Sequence, residues 1–368
     1  MTNIPSRTIW AAFKNEKSPV GINSLRDSNV ELLRIILMLM IAIHHFLLHA
    51  FTAEIAKPSA VLTPTIAIAT IVNGFCYIGV NCFLLISGYY GIHCKLRSIL
   101  NLFLMCAFYS LIGYLTHVYV DGAHIGRSLL FNSVFVFSHN SWWYVSCYVA
   151  LMLFSPLLNV AIEHLEKRQF QLVLLLLTIY NIYFGWFWGG IDFNINGYNI
   201  VQFIYVYLIG AYIRRHVSLE YIRFKRWMSI VLYILCAACW GILTCLQHGF
   251  ALYNWNAFSY NNLFVLVASV AFFCFMMSFS FKNRYFNWLA TSTLAAYLIQ
   301  DNTYLRNFIY DFSKSLGKGN VFDVMLAIIL SVMFLFVVLH IDKIRIWLMR
   351  PIQNVILRIS RKLFIKNK

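Results

Sequence analysis

Charge is scarce in this sequence: only 11% of its 368 residues are Asp, Glu, Lys or Arg, and just 13 are acidic. A water-soluble globule carries about a quarter of its residues as charges. That class is therefore excluded. There are 6 prolines and no Gly/Ser-rich or Pro-rich stretch of linker length, so tethered domains, collagen and low-complexity disorder are excluded too. A disulfide scaffold is also missing. The 9 cysteines lie almost all within or beside apolar runs, where a buried thiol acts as a small apolar side chain. Cys236 and Cys239 form a C-x-x-C pair in mid-run, with no second pair or nearby histidine to complete a zinc site. No bound metal or resident cofactor is expected.

What is abundant is apolar: 61% hydrophobic and 17% aromatic residues, with a mean hydropathy of +0.71. An integral membrane protein follows. Apolar runs lie near Leu32 to Phe51, Val61 to Gly88, Ile99 to Val120, Trp143 to Ile162, and Phe170 to Gly189. Others lie near Ile200 to Ile213, Trp227 to Leu246, Asn262 to Phe281, Phe286 to Gln300, and Val321 to Leu339. At roughly 20 residues per crossing the expected fold is an all-α, polytopic helix bundle with about ten transmembrane helices.

An even number of crossings places both termini on one side. The basic residues say which. Taking alternate connections, about 23 lysines and arginines fall on one side, from Arg7 through Arg214 and Arg215 to the basic end of the chain. The other side holds Lys57, Arg127, Arg306, Lys314 and Lys318. Both termini are therefore expected on the cytoplasmic side of the membrane. The net charge of +16 is then a matter of orientation and not a sign of nucleic acid. Residues 1–30 read as a polar cytoplasmic segment without the features of a cleaved signal, 31–342 as one membrane domain, and 343–368 as a basic cytoplasmic tail. The stretch Asp121 to Ser141 contains an apolar segment that could lie in the outer interface.

Strongly polar side chains inside a span cost on the order of 3 kcal/mol each. The first span has most of them: Glu31, Arg34, His44, His45 and His49. At about 100° per residue, Arg34 and His45 differ by about 20°, whereas Arg34 and His44 differ by about 80°. Arg34 and His45 thus share a face, about 16 Å apart along the axis. His49 points broadly the same way. The plainer alternative is an arginine reaching the interface beside Glu31, with histidines bonding between helices. Three such residues on one stripe favour a lined cavity. Zinc on His45 and His49 has no evident third ligand in the sequence.

With arginine, ten residues, then histidine in its first span, the chain resembles the integral-membrane acyltransferase-3 family, bacterial enzymes that acylate surface glycans. Further islands follow in the family's order: Phe83 to Tyr90 with Ser87-Gly88, Trp143-Tyr144 followed by Ser155-Pro156-Leu157, Tyr207 to Ile213, and Ala296 to Gln300. Two positions depart. Gln300 and Ser141 stand where the family commonly has histidine. The resemblance implies an O-acyltransferase, most simply an O-acetyltransferase, with acetyl-CoA as donor and a glycan or lipid-linked oligosaccharide as acceptor. On this reading Arg34 attracts the phosphates of CoA and His45 is the general base on the acceptor hydroxyl. Ser87, Trp143, Tyr144, His49 and Asp301 are the expected substrate contacts, although Ser87 is more readily read as a packing or turn device and the aromatic pair, by default, as an outer belt. With no hydrolase-like segment after the bundle, transfer is expected within it or with a separate protein. The principal rival is a transporter or flippase of a lipid-linked glycan, which also suits a polar-lined bundle. A glycan polymerase and a purely structural membrane partner are further alternatives.

Overall fold

A computed structural model of the chain describes residues 27–52, 61–120, 122, 126–138, 142–188, 192–250 and 258–365. All regular structure among them is helical. The expected N-terminal segment up to residue 26, Lys57 and Ser141 lie outside the described residues.

The first apolar run forms α1, Ser28–Phe46, which widens into a π-helical turn at Leu47–Phe51. Next come α2 (Pro64–Cys76) and α3 (Gly79–Tyr90), then α4 (Leu96–Tyr119) and a short α5 (Arg127–Val134). The middle of the chain gives α6 (Trp143–His164), α7 (Lys167–Thr178, widened at Ile179–Phe187), α8 (Ile200–His216), α9 (Leu219–Phe224) and α10 (Arg226–Phe250). The last third holds α11 (Leu263–Met277), α12 (Arg284–Ala290), α13 (Thr293–Gln300), α14 (Leu305–Ser315) and α15 (Phe322–Ile365).

Among the described residues, 7 helical segments are long and apolar enough to cross a membrane, counting α2 with α3 as one. The other three expected spans are shorter. They are the 17-residue α8, the 15-residue α11, and the run from Phe286 to Gln300, which is divided between α12 and α13. Lys343 shows why that last run breaks. Its Nζ donates to the Trp288 carbonyl, Thr291 Oγ1 and Ser292 Oγ at 2.5, 2.8 and 2.8 Å, serving a carbonyl at the end of α12 that an unbroken helix would bond internally. The stretch expected as a tail beyond residue 342 continues α15 as far as Ile365. In the outer-interface candidate, α5 packs on α4, while Asp121 lies outside the described residues.

Helix α1 is the hub. It packs against α2, α3, α11, α12, α13 and α15. Around it, helices approach closely through glycine. A Cβ on Gly88 would fall on the carbonyl of Tyr207, and one on Gly210 on the carbonyl of Leu85. These two glycines let α3 and α8 meet backbone to backbone, as small residues do between membrane helices.

A second fastening joins the last helix to α4. Asp342 and Arg345 are both buried and paired, Arg345 Nε and Nη2 donating to the two carboxylate oxygens at 2.5 and 3.0 Å. The Tyr109 hydroxyl of α4 donates to the same carboxylate at 2.5 Å. Removing one partner of a buried pair costs about 3 to 5 kcal/mol, because the other charge stays buried. Asp342→Ala should therefore sharply lower the thermal midpoint of detergent-purified protein. A midpoint equal to wild type would show that the Asp342 carboxylate does not hold α15 to α4.

Candidate active site

On α1, Arg34, Met38, Ile41 and His45 are separated by four, three and four residues, a single stripe of a 3.6-residue helix. All four line one cavity of about 240 Å³. The guanidinium and the imidazole thus open on the same space. His44 turns away from it, with Nδ1 2.6 Å from Asn73 Oδ1 and its ring against Tyr77. Adjacent histidines have been divided between a packing role and the cavity by their helical angle.

Arg34 is held but not closed off. Its Nη1 donates to both Glu31 oxygens at 3.1 and 3.0 Å, and the side chain is 33% exposed. A partly exposed ion pair of this kind contributes at most about 1 kcal/mol. It orients the guanidinium without committing it. Among the described residues Nε and Nη2 have no hydrogen-bond partner, which leaves them able to meet an anion.

The facing walls are mostly aromatic. Trp143, Tyr144 and Tyr148 come from the first turns of α6, Tyr260 from the segment before α11, and Tyr297 from α13. Trp143 and Tyr144, expected as substrate contacts although an outer belt is their default explanation, line the cavity. Trp143 packs 4.5 Å from Tyr198 and 5.6 Å from Tyr260, between ring centroids. Buried amides hold Tyr260 in place. Its carbonyl accepts from Asn81 Nδ2 at 2.9 Å and Gln202 Nε2 at 3.0 Å, while its own N–H donates to the Asn196 carbonyl at 2.8 Å.

Ser87 also lines the cavity, but its hydroxyl donates to the Phe83 carbonyl at 2.9 Å. It faces the space chiefly as an acceptor, with the Tyr148 hydroxyl 3.5 Å away. Two expected contacts are off the lining. His49 lies in the widened turn after α1, its ring 5.6 Å from His45 and 5.2 Å from Tyr310. Asp301 follows α13 and pairs with Arg306 at 3.8 Å. No third ligand joins His45 and His49 among the described residues, and no cluster of three metal-ligating side chains occurs there. Cys236 and Cys239 are free thiols.

Sequence reasoning missed Tyr148, Tyr260 and Tyr297. For Tyr148 a signal existed, since it stands one turn from Tyr144 on the same face of α6. Tyr297 lies inside the island Ala296 to Gln300. Tyr260 comes from a non-helical segment, where no periodicity points.

The sequence profile of the acyltransferase-3 family, described as an acyltransferase domain, matches residues 27–341. The chain belongs to this family. It is a membrane acyltransferase by that membership and by its apolar helices. The matched region contains every element from α1 to α14 and most of the apolar part of α15. Comparison with curated proteins and with solved structures gives no match.

If the family's cavity admits water and ligand along the α1 stripe, cysteines introduced there should differ in reactivity. Ile41→Cys, in a cysteine-free background, should be labelled by a small membrane-permeant thiol reagent. Leu37→Cys, at a fully buried position packed into the core, should resist. Equal labelling of the two, read by mass shift, would remove the cavity from that face.

Proposed function

We propose that this acyltransferase moves an acyl group, most simply acetyl, from cytoplasmic acyl-CoA to a hydroxyl of a cell-surface or lipid-linked glycan. Its setting on this reading is the bacterial inner membrane, with both termini cytoplasmic, a membrane domain over 31–342 and basic residues beyond 343. One observation carries the reading: a cation and an imidazole on one helix face line the same cavity in a chain whose family profile is an acyltransferase domain.

The dimensions support a division of the donor between cavity and mouth. At about 240 Å³ the cavity is smaller than the 300 to 1,000 Å³ of sites that enclose a drug-sized ligand. It suits the narrow acyl-pantetheine arm and leaves the nucleotide at the mouth. Arg34, with its two uncommitted nitrogens, meets the phosphates there through charge-assisted hydrogen bonds. The Arg34 to His45 rise of about 16 Å is comparable to the length of that arm, and so brings the thioester beside the imidazole.

His45 then acts as general base. It takes the proton of the acceptor hydroxyl as the oxygen attacks the thioester carbonyl. The carbon–sulfur bond breaks, an ester forms, and the proton passes to the departing CoA sulfur. Trp143, Tyr144 and Ser87 position the reacting groups, and His49 and Asp301 serve the approach of the acceptor from the His45 end. Arg34 at one end of the stripe and the aromatic wall support the division of the cavity into a donor end and a sugar end.

General-base assistance is typically worth about 10²- to 10⁴-fold. His45→Ala should therefore lower kcat by that factor in purified protein given labelled acetyl-CoA and a glycan acceptor. Arg34→Ala should mainly raise KM for the donor. Mass spectrometry of surface glycan from cells with and without the chain names the transferred group by its added mass. Absence of CoA-dependent transfer, with glycan movement across vesicles, would replace this reading with a transporter.

A further inference from the structure

Gln300, from α13, is fully buried against α1 at the His45 end of the cavity. Its Nε2 donates to the Ala42 carbonyl at 3.2 Å. Since a carbonyl only accepts, this bond fixes which end of the amide is nitrogen. The Oε1 is left pointing elsewhere, buried and without a partner. Two further orphaned polar atoms lie around it, Nδ1 of His45 and the hydroxyl of Tyr310. Gln300 is in side-chain contact with both residues. An amide oxygen only accepts, and the orphaned His45 Nδ1 is a donor when it carries the ring proton.

Buried polar atoms are normally paired, and the pairing available here has one sense. An oxygen acceptor requires a proton on His45 Nδ1. We infer that Gln300 accepts the Nδ1–H of His45 and so holds the imidazole in the tautomer whose Nε2 lone pair is presented to the cavity. Gln300 is thus a positioning residue, acting on the reaction through His45.

This inference rests on the acyl-transfer reading above. In that reaction Nε2 takes the hydroxyl proton, and the C–O bond forms as the C–S bond breaks. The imidazolium returns the proton to CoA sulfur. Throughout, the Nδ1 proton stays in place, because a neutral amide oxygen does not remove it. A ring in the other tautomer would offer the cavity an N–H and no base. The other charged or titratable groups around His45 are His44 and His49 on its own helix, Arg306 and Tyr310 of α14, and Tyr144 and Tyr297 across the cavity.

The test has two independent readouts. Nitrogen NMR of ¹⁵N-histidine-labelled protein, with His45 assigned by its loss in His45→Gln, reports which ring nitrogen carries the proton. Protonated Nδ1 and bare Nε2 are expected in wild type. Gln300→Leu should lower kcat roughly 10²-fold with donor KM unchanged. Gln300→Glu keeps the acceptor but adds a negative charge that favours imidazolium. It should fold, retain turnover, and move the acid limb of the pH–rate profile to higher pH. Bare Nδ1 in wild type, or an acid limb unmoved in Gln300→Glu, would overturn the inference. Wild type without acyl transfer would instead remove the proposed function, and the nitrogen shifts would decide the tautomer alone.

Discussion

The arrangement of the bundle depends on one constraint: α1 and the widened turn after it carry a cation, a carboxylate and three imidazoles through a region where each strongly polar group costs on the order of 3 kcal/mol. Such a helix cannot face lipid. It must be surrounded, and α1 is packed by six other helices. The outer members need no such shelter, and α4, α6, α7 and α10 accordingly leave many large apolar side chains exposed. Enclosure of the polar stripe thus explains both the central position of the first span and the apolar surface of the others.

Enclosure alone would bury the stripe in packed side chains, leaving no space. The cavity exists because neighbouring helices are fixed elsewhere. Gly88 and Gly210 lock α3 to α8, and the buried amides of Asn81 and Gln202 hold the Tyr260 segment as a separate wall. Rigid aromatic rings then line the gap. A wall of tyrosine and tryptophan loses little rotamer freedom on ordering and presents hydroxyls as well as faces. It can receive a substrate with both apolar and hydroxylated surfaces.

Much of this was legible because membrane sequences report two things strongly. Long apolar runs fix where helices are, and rare polar residues inside them fix which faces matter. The angle between Arg34 and His45 follows from 3.6-residue geometry alone, and it separated His45 from His44 in the manner the folded chain shows. What was illegible depends on long-range contact. The division between α12 and α13 is bound up with Lys343, more than fifty residues further on. The inward turn of Trp143 and Tyr144 depends on partners such as Tyr198, Tyr260 and Tyr297. An aromatic residue at a span end reads equally as belt or wall until its neighbours are known. Ser87 is similar, since its motif marks a real helix contact at Gly88 and says little about its hydroxyl.

The division of the ninth apolar run also bears on the site itself. An unbroken helix from Phe286 to Gln300 would carry one register from end to end. The turn at Thr291 and Ser292, anchored by Lys343, lets α13 take its own. From there Tyr297 faces the cavity while Gln300, three residues on, reaches the backbone of α1 at Ala42. At about 100° per residue these two positions lie about 60° apart, so a modest rotation of α13 would withdraw both. Lys343 belongs to α15, which also carries Asp342 and Arg345. The Tyr109–Asp342 hydrogen bond that ties α15 to α4 therefore sits one residue from the lysine that bonds the turn between α12 and α13.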